Sequence, residues 1–260
     1  MKALNSPEFF MVLKMRTIII SDLHNRVDWI EPALSSLQYD KVIFLGDYFD
    51  DVDDTVEDVK KAANWLKQSL PKADRIHLCG THEMWYRFPD NPFLHASGNT
   101  EQKSDVINHI LTGKDWNLLK LCCYEQGFLL THAGVHSYFL GKNNLSRHEM
   151  LNRIKSETEN AIQDVRNGKI NPWLAAGFAR RGLQKVGGIT WLDWLDEFEP
   201  VPYLNQIVGH TQLRYPEEKI TENSKNYCLD TKNKHIALLE NGVLYVKERN
   251  EKTEIIQTSL

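Results

Sequence analysis

The chain has 260 residues, 42% hydrophobic and 25% charged, with a formal net charge of −4. That size suits one large α/β domain or a domain with an insertion, and the composition is that of an ordinary globular protein. The acidic balance argues against a dedicated nucleic-acid binder, and no apolar run approaches the roughly 20 residues that cross a bilayer.

Residues 1–15 read as a disordered or vector-derived leader: Lys14 and Arg16 interrupt the apolar patch before it reaches the length of a secretory h-region. The β-branched run RTIII (16–20) predicts a first strand, DWIEPALSSL (28–37) a helix, and KVIFL (41–45) a second strand. In DTVEDVKKAANWLKQSL (54–70), Val56, Val59, Ala63, Leu66 and Leu70 recur near helical spacing, and RIHLC (75–79) predicts a third strand. This β-α-β-α-β order implies parallel pairing with right-handed crossovers.

Further along, GFLLTH (127–132) predicts a strand, residues 145–165 a long helix and QIVGHT (206–211) another strand leading into a loop. NYCLDT and HIALLENGVLYVKER close the chain, the second as a hairpin turning at Asn241–Gly242. A single domain over 16–250 is expected. Segment 167–205, rich in aromatics (Trp173, Phe178, Trp191, Trp194, Phe198, Tyr203), is either an insertion walling a pocket or aromatic packing under a long loop. None of Cys79, Cys122, Cys123 and Cys228 belongs to a C-x-x-C pair, and this usage points to a cytoplasmic protein.

Five strand ends carry polar residues of one kind: Asp22 and His24, Asp47 and Asp50, Thr81 and His82, His132, and His210. Ligands of open α/β sheets bind beyond the carboxyl ends of the strands. One histidine after a strand is usually structural, the reading given to His77, His95, His109, His136, His148 and His235. Recurrence in five loops is what singles out the other four. Mixed Asp and His donors suit two divalent ions such as Mn, Fe, Zn or Ni, and two ions sharing a carboxylate clamp a phosphoryl group and generate hydroxide from water at neutral pH.

The ordered set D-x-H, GD-x-x-D, G-T-H-E, H-A-G and G-H-T resembles the calcineurin-like metallophosphoesterases over about residues 16–247. The final GHTQ, with Gln212 where many members carry histidine, is similar to the phosphoprotein phosphatase and diadenosine tetraphosphatase branch. The resemblance implies a four-layer α/β/β/α sandwich with the metals at the sheet edge. It implies that Asp22 and His24 bind the first metal, that Asp47 bridges both, and that His132 and His210 bind the second. His82 becomes the proton donor to the leaving group, oriented by Asp50.

Two departures stand out. Thr81 occupies the position of a metal-binding asparagine, and a hydroxyl is a shorter, weaker ligand. Asp51 and Val52 replace an Arg-Gly whose arginine grips the substrate phosphate, and a carboxylate would repel phosphate. Arg26, Arg87, Arg180, Arg181 and Arg214 are candidates to restore the charge. Arg26 and Arg87 are favoured as substrate-binding residues because they follow metal-site motifs closely. Asp51, Asp53 and Asp54 are expected in a solvated loop at a helix N-terminus.

The expected activity is hydrolysis of a small or nucleotide-like phosphate ester, with no membrane partner. Its rivals are a catalytically weakened metal- or phosphate-binding protein, with Thr81 as the sign of decay, and a phosphoprotein phosphatase. A doubly wound oxidoreductase is disfavoured because no G-x-G-x-x-G follows the first strand.

Overall fold

The computed structural model describes residues 15–141 and 145–249 and the backbone of 256–258, so the expected leader falls outside it apart from Met15. Eleven strands and seven α-helices are formed among the described residues. The first half builds β1 (Arg16–Ile20), α1 (Ile30–Ser35), β2 (Lys41–Phe44), α2 (Val56–Ser69), β3 (Arg75–His77) and α3 (Thr81–Arg87). The pattern 54–70 matches α2, whose start is fixed by Thr55 and Asp58 in a reciprocal capping box. After it come α4 (Glu101–Ile110), α5 (Gly113–Trp116), β4 (Cys122–Glu125), β5 (Phe128–Thr131), α6 (Ser137–Leu140) and α7 (Arg147–Arg166). The chain closes with β6 (Asn205–Val208), β7 (Glu217–Ile220), β8 (Lys225–Cys228), β9 (His235–Glu240), β10 (Val243–Glu248) and β11 (Ile256–Thr258).

Two mixed sheets result. One has the order β11-β10-β9-β1-β2-β3, with β1, β2 and β3 parallel; the other has the order β4-β5-β6-β8-β7, with β5, β6 and β8 parallel. Alternate residues of the strands enter different cores. Ile19, Ile43 and Leu45 of the first sheet meet Phe128, Leu130 and Ile207 of the second. Their neighbours Ile18, Ile20, Val42, Phe44 and Leu129 pack outward with Leu66 of α2, Ile107 of α4 and Ile154 of α7. Both sheet faces are therefore buried, which is why these strands read as unbroken apolar runs, and the protein is the expected α/β/β/α sandwich. The hairpin turns where predicted, with φ of +53° at Asn241 and +76° at Gly242, the pairing a two-residue turn needs.

The aromatics of segment 167–205 divide. Trp173, Trp194 and Phe198 are buried in the core, while Trp191 reaches His210 with ring centroids 5.8 Å apart. Among the described residues no helix is long and apolar enough to cross a membrane, and all four cysteines are free.

Candidate metal centre

The parallel strands point their carboxyl ends the same way, so the loops after β1, β2, β3, β5 and β6 converge. Backbone bonds lock them together. The Asp47 carbonyl accepts from Leu23 N (2.8 Å) and His24 N (2.9 Å), and the His132 carbonyl accepts from Gly209 N (2.7 Å). His210 N donates to Asp22 Oδ1 at 3.0 Å, and His82 N to Asp47 Oδ1 at 3.0 Å. His24, Asp47, Asp50 and His210 all have positive φ, between +45° and +67°. Such conformations cost of order 1 kcal/mol each and collect where a site over-determines them.

Close approach of these loops demands two glycines. A Cβ on Gly80 would stand 2.5 Å from Asp47 N and 2.9 Å from His132 Cε1; one on Gly209 would run into the Asp22 carboxylate and the Ser21 hydroxyl.

The donors form two groups sharing one carboxylate: Asp22, His24 and Asp47, and Asp47, His132 and His210. Within each, one ligand atom per residue lies within 4.8 Å of the others. Asp22 and Asp47 are 1% and 3% exposed. Among the described residues neither has a Lys or Arg within ion-pair distance. Burial pushes the Asp22 carboxyl up, against the pull of His132, and the neighbouring Asp47 pushes it further. The Asp47 carboxyl, despite the same burial, is held well below its usual range by His132, His82 and His24. Asp230, buried beside Asp22, is raised well above its usual value by burial and by that neighbour. Buried negative charge without a fixed cation is costly, and metal ions resolve it.

The imidazoles are oriented for the same purpose. His132 Nδ1 lies 3.0 Å from the Leu45 carbonyl and His24 Nδ1 lies 2.7 Å from the Asp50 carbonyl. A carbonyl only accepts, so each Nδ1 carries the proton and each Nε2 is turned to the cluster, as in metal-ligating histidines. His132 Nε2 and His210 Nδ1 are 3.2 Å apart. Two nitrogens about 2.1 Å from one ion at octahedral to tetrahedral angles lie roughly 3.0–3.4 Å from each other, so the donor set fits a bound metal. Burial opposes the charging of His132, yet Asp47 and Asp22 raise it to about 9. His210 goes the other way, lowered well below its usual value by burial and by His132 and Arg180.

Thr81 is 2% exposed, donates its hydroxyl to the Thr190 carbonyl, and lies with Oγ1 3.5 Å from His210 Nδ1. It is thus at the edge of the second group. His82 Nδ1 meets Asp50 Oδ2 at 3.0 Å, and its Nε2 is 4.0 Å from Asp47 Oδ2. Burial lowers the His82 pKa, but Asp47 and Asp50 carry it up to about 9.

The arginines separate. Arg26 is ion-paired with Asp51, and both line a cleft with His24. Arg87 is not brought to the cluster. It lines a groove between β4 and α7 with Cys122 and Lys155, stacked over Phe88, and none of the candidate metal donors lines that groove. Arg180, from the aromatic segment, ends beside His210: its Nε is 2.7 Å from Asp193, and its Nη2 donates to Thr211 Oγ1 at 3.0 Å. The acidic loop is not uniformly solvated. Asp51 holds Arg26, and the side chain of Asp54 is 6% exposed and bonded to Lys103 Nζ at 2.6 Å.

Several residues around the centre carried no signal of their own. Glu83, fully buried, accepts from Asp47 N (2.9 Å), Tyr48 N (2.7 Å) and Gly80 N (2.8 Å), tying the second and third loops together. Asn233 donates to the Asp22 carbonyl at 3.0 Å. Tyr86, Asn99 and Lys103 all bond Asp50. Only Glu83 sat inside a recognised motif.

The sequence profile described as calcineurin-like phosphoesterase matches residues 15–211. Among solved structures, the chain is similar to the cold-active protein-tyrosine phosphatase of a psychrophilic Shewanella species, with 18% identity, a TM-score of 0.55, and coverage of 94% of this chain and 80% of that one. A further structure of a cold-active protein tyrosine phosphatase aligns at 17% identity and TM-score 0.55, covering 90% of this chain and 76% of that one. A comparison with curated protein sequences gives no significant match.

Proposed function

The chain belongs to the calcineurin-like phosphoesterase family, and from that premise we propose that it hydrolyses a phosphate ester with water activated at a dinuclear metal centre. The observation that carries the reading is the pair of donor groups sharing Asp47. Asp22 and His24 would hold one ion, His132 and His210 the other, and Asp47 both, with the Thr81 hydroxyl as a weak additional ligand of the second. Two such ions supply Lewis acidity to the phosphoryl oxygens and lower the pKa of a water between them.

The chain's own residues do the rest. His82, held by Asp50, turns Nε2 toward the cluster. It donates that proton to the leaving oxygen as the P–O bond breaks and the water oxygen bonds to phosphorus. The products are an alcohol and inorganic phosphate; the proton released by water passes to solvent, and His82 recovers its own from there. Arg180 beside His210 and Arg26 beside His24 offer guanidinium groups to the phosphate charge. Asp51 is ion-paired with Arg26, so its repulsion of phosphate is partly offset, and the N–H groups of Arg26 not engaged by Asp51 are the ones available to the substrate.

The substrate in this reading is small or nucleotide-like, and the Trp191 indole against His210 gives a base a surface to stack on. Thr81 makes it a slow enzyme. A cytoplasmic setting, where free thiols persist, belongs to the same proposal. A phosphoprotein substrate is the second reading, favoured by the fold shared with a protein-tyrosine phosphatase.

Metal-free protein is reconstituted with Mn, Ni, Zn, Mg or Fe(II) and assayed on 4-nitrophenyl phosphate, its bis-ester, nucleotides and a phosphotyrosine peptide. Turnover above a metal-only control with at least one ion is expected. Metal uptake with no turnover on any ester supports the weakened binding protein instead.

A further inference from the structure

Asp50 is saturated. Its Oδ2 accepts from His82 Nδ1 at 3.0 Å and Asn99 Nδ2 at 2.7 Å; its Oδ1 accepts from Tyr86 Oη at 2.7 Å and Lys103 Nζ at 3.0 Å. The donors come from α3, from the turn before α4 and from the first turn of α4. A carboxylate gripped at both oxygens from separate segments cannot rotate, and neither can the imidazole bonded to it.

Lys103 is the unusual member. It is only 7% exposed, and an ammonium is rarely so buried without fixed partners. All three of its N–H groups have acceptors: Asp50 Oδ1, Asp54 Oδ1 at 2.6 Å and the Gly98 carbonyl at 2.9 Å. It bonds none of the candidate metal donors. A neutral donor would satisfy one lone pair of Asp50 equally well. The charge matters because Asp54 faces it too, and Asp47 and Glu83 add further negative charge around His82.

We infer that Lys103 is a positioning residue for the reaction: by pinning Asp50 it fixes the angle at which His82 presents its Nε2 proton to the leaving oxygen. This rests on the reading of His82 as proton donor given above. The bond changes are those already described, and Lys103 neither gains nor loses a proton in them. Segment 98–103, through Asn99 and Lys103 on Asp50, thereby acts on the chemical step.

The test uses the full chain, reconstituted with whichever ion supports turnover, and a series of aryl phosphates from 4-nitrophenyl to phenyl. A poor leaving group needs the proton and a good one does not, and a positioned general acid contributes typically 10²–10⁴-fold. In Lys103→Met, kcat on phenyl phosphate should fall by about 30-fold or more, and on 4-nitrophenyl phosphate by less than about threefold, since only the acid step is weakened. KM and bound metal should stay within about twofold, because the change touches protonation of the leaving group rather than binding. Lys103→Arg should recover part of the loss. If Lys103→Met does not fold, Asn99→Ala and Tyr86→Phe each remove one donor to Asp50 and should give the same leaving-group dependence in milder form. An equal loss on every ester, or no loss, overturns the inference. A wild-type protein inactive on every ester with every ion overturns the phosphoesterase reading itself, a result distinct from the first.

Discussion

His132 Nε2 and His210 Nδ1 face each other across 3.2 Å, from loops 78 residues apart in the chain. The Leu45 carbonyl keeps the His132 proton on Nδ1, so a cation and a proton compete for Nε2, and Asp47 makes that nitrogen basic. Metal binding to such a pair displaces the proton and weakens as the pH falls.

Thr81 stands beside that pair. Replacing it with asparagine extends an amide oxygen toward the second group, and Thr81→Asn should raise metal affinity and kcat/KM by about tenfold or more, the scale on which neighbouring ligands tune a site. Titration with Mn and an aryl phosphate assay read both. If neither moves, the hydroxyl is not part of the centre.

Glu83 holds the Asp47 loop from behind. In Glu83→Gln one oxygen becomes an NH₂ that faces backbone donors, leaving at least one of them unpaired, at about 1–3 kcal/mol. That lowers Tm by about 2–4 °C per kcal/mol for a chain of this size. Metal affinity should drop about 10- to 100-fold as Asp47 loosens. Calorimetry and metal titration check the two effects, and a variant with normal affinity would reduce Glu83 to a purely structural role.

His77 gives a pH dependence separate from the metals. It is stacked on Phe44 at 4.6 Å and bonded to Tyr48 Oη and Ser69 Oγ, and burial pushes its pKa down to about 3. The unfolded chain, with a histidine pKa near 6.5, binds the proton more readily. Stability from this group is therefore complete above pH 6.5 and lost as the pH falls toward 3, at about 1.4 kcal/mol per unit, or roughly 2 kcal/mol by pH 5. Urea melts of the metal-free protein between pH 7.5 and 5 should show a shallower pH slope in His77→Gln than in the wild type. Identical slopes would mean His77 charges freely in the folded state.

Arg180 and Arg87 make opposite predictions. Arg180→Ala should raise KM for a phosphate ester about tenfold or more, the loss of one charge-assisted contact of 1.5–3 kcal/mol. Arg87→Ala should leave KM unchanged. Steady-state kinetics on one aryl phosphate decides, and a KM effect of Arg87→Ala alone would reverse the assignment.

These arginines also mark where sequence reading stops. Arg87 follows His82 by five residues, which on a helix is about 7.5 Å along the axis and roughly 140° round it, so nearness to a motif puts it on the wrong side of α3. Arg180 is far from any motif and is delivered by the fold of the aromatic segment. The candidate donors were legible as a cluster because each follows an apolar strand buried on both faces, and parallel strands must place such residues on one edge. The helix α4 was not, since EQKSDVINHI offers little apolar periodicity and its buried face includes Lys103 and Ser104. The burial of Lys103 depends on Asp50 and Asp54, a pairing that nothing local in the sequence announces. The edge strands β4 and β7 were missed for a related reason: CCYE and the mostly exposed EEKI pair through backbone rather than through an apolar pattern.

The shared carboxylate of Asp47 is the point on which the account turns. Metal content of the purified, reconstituted protein should reach two divalent ions per chain. In Asp47→Asn it should fall to one or none, with kcat/KM down by at least about 10³, because Lewis-acid stabilisation worth several kcal/mol is withdrawn at both positions. Two tightly held ions and undiminished hydrolysis in Asp47→Asn would contradict it.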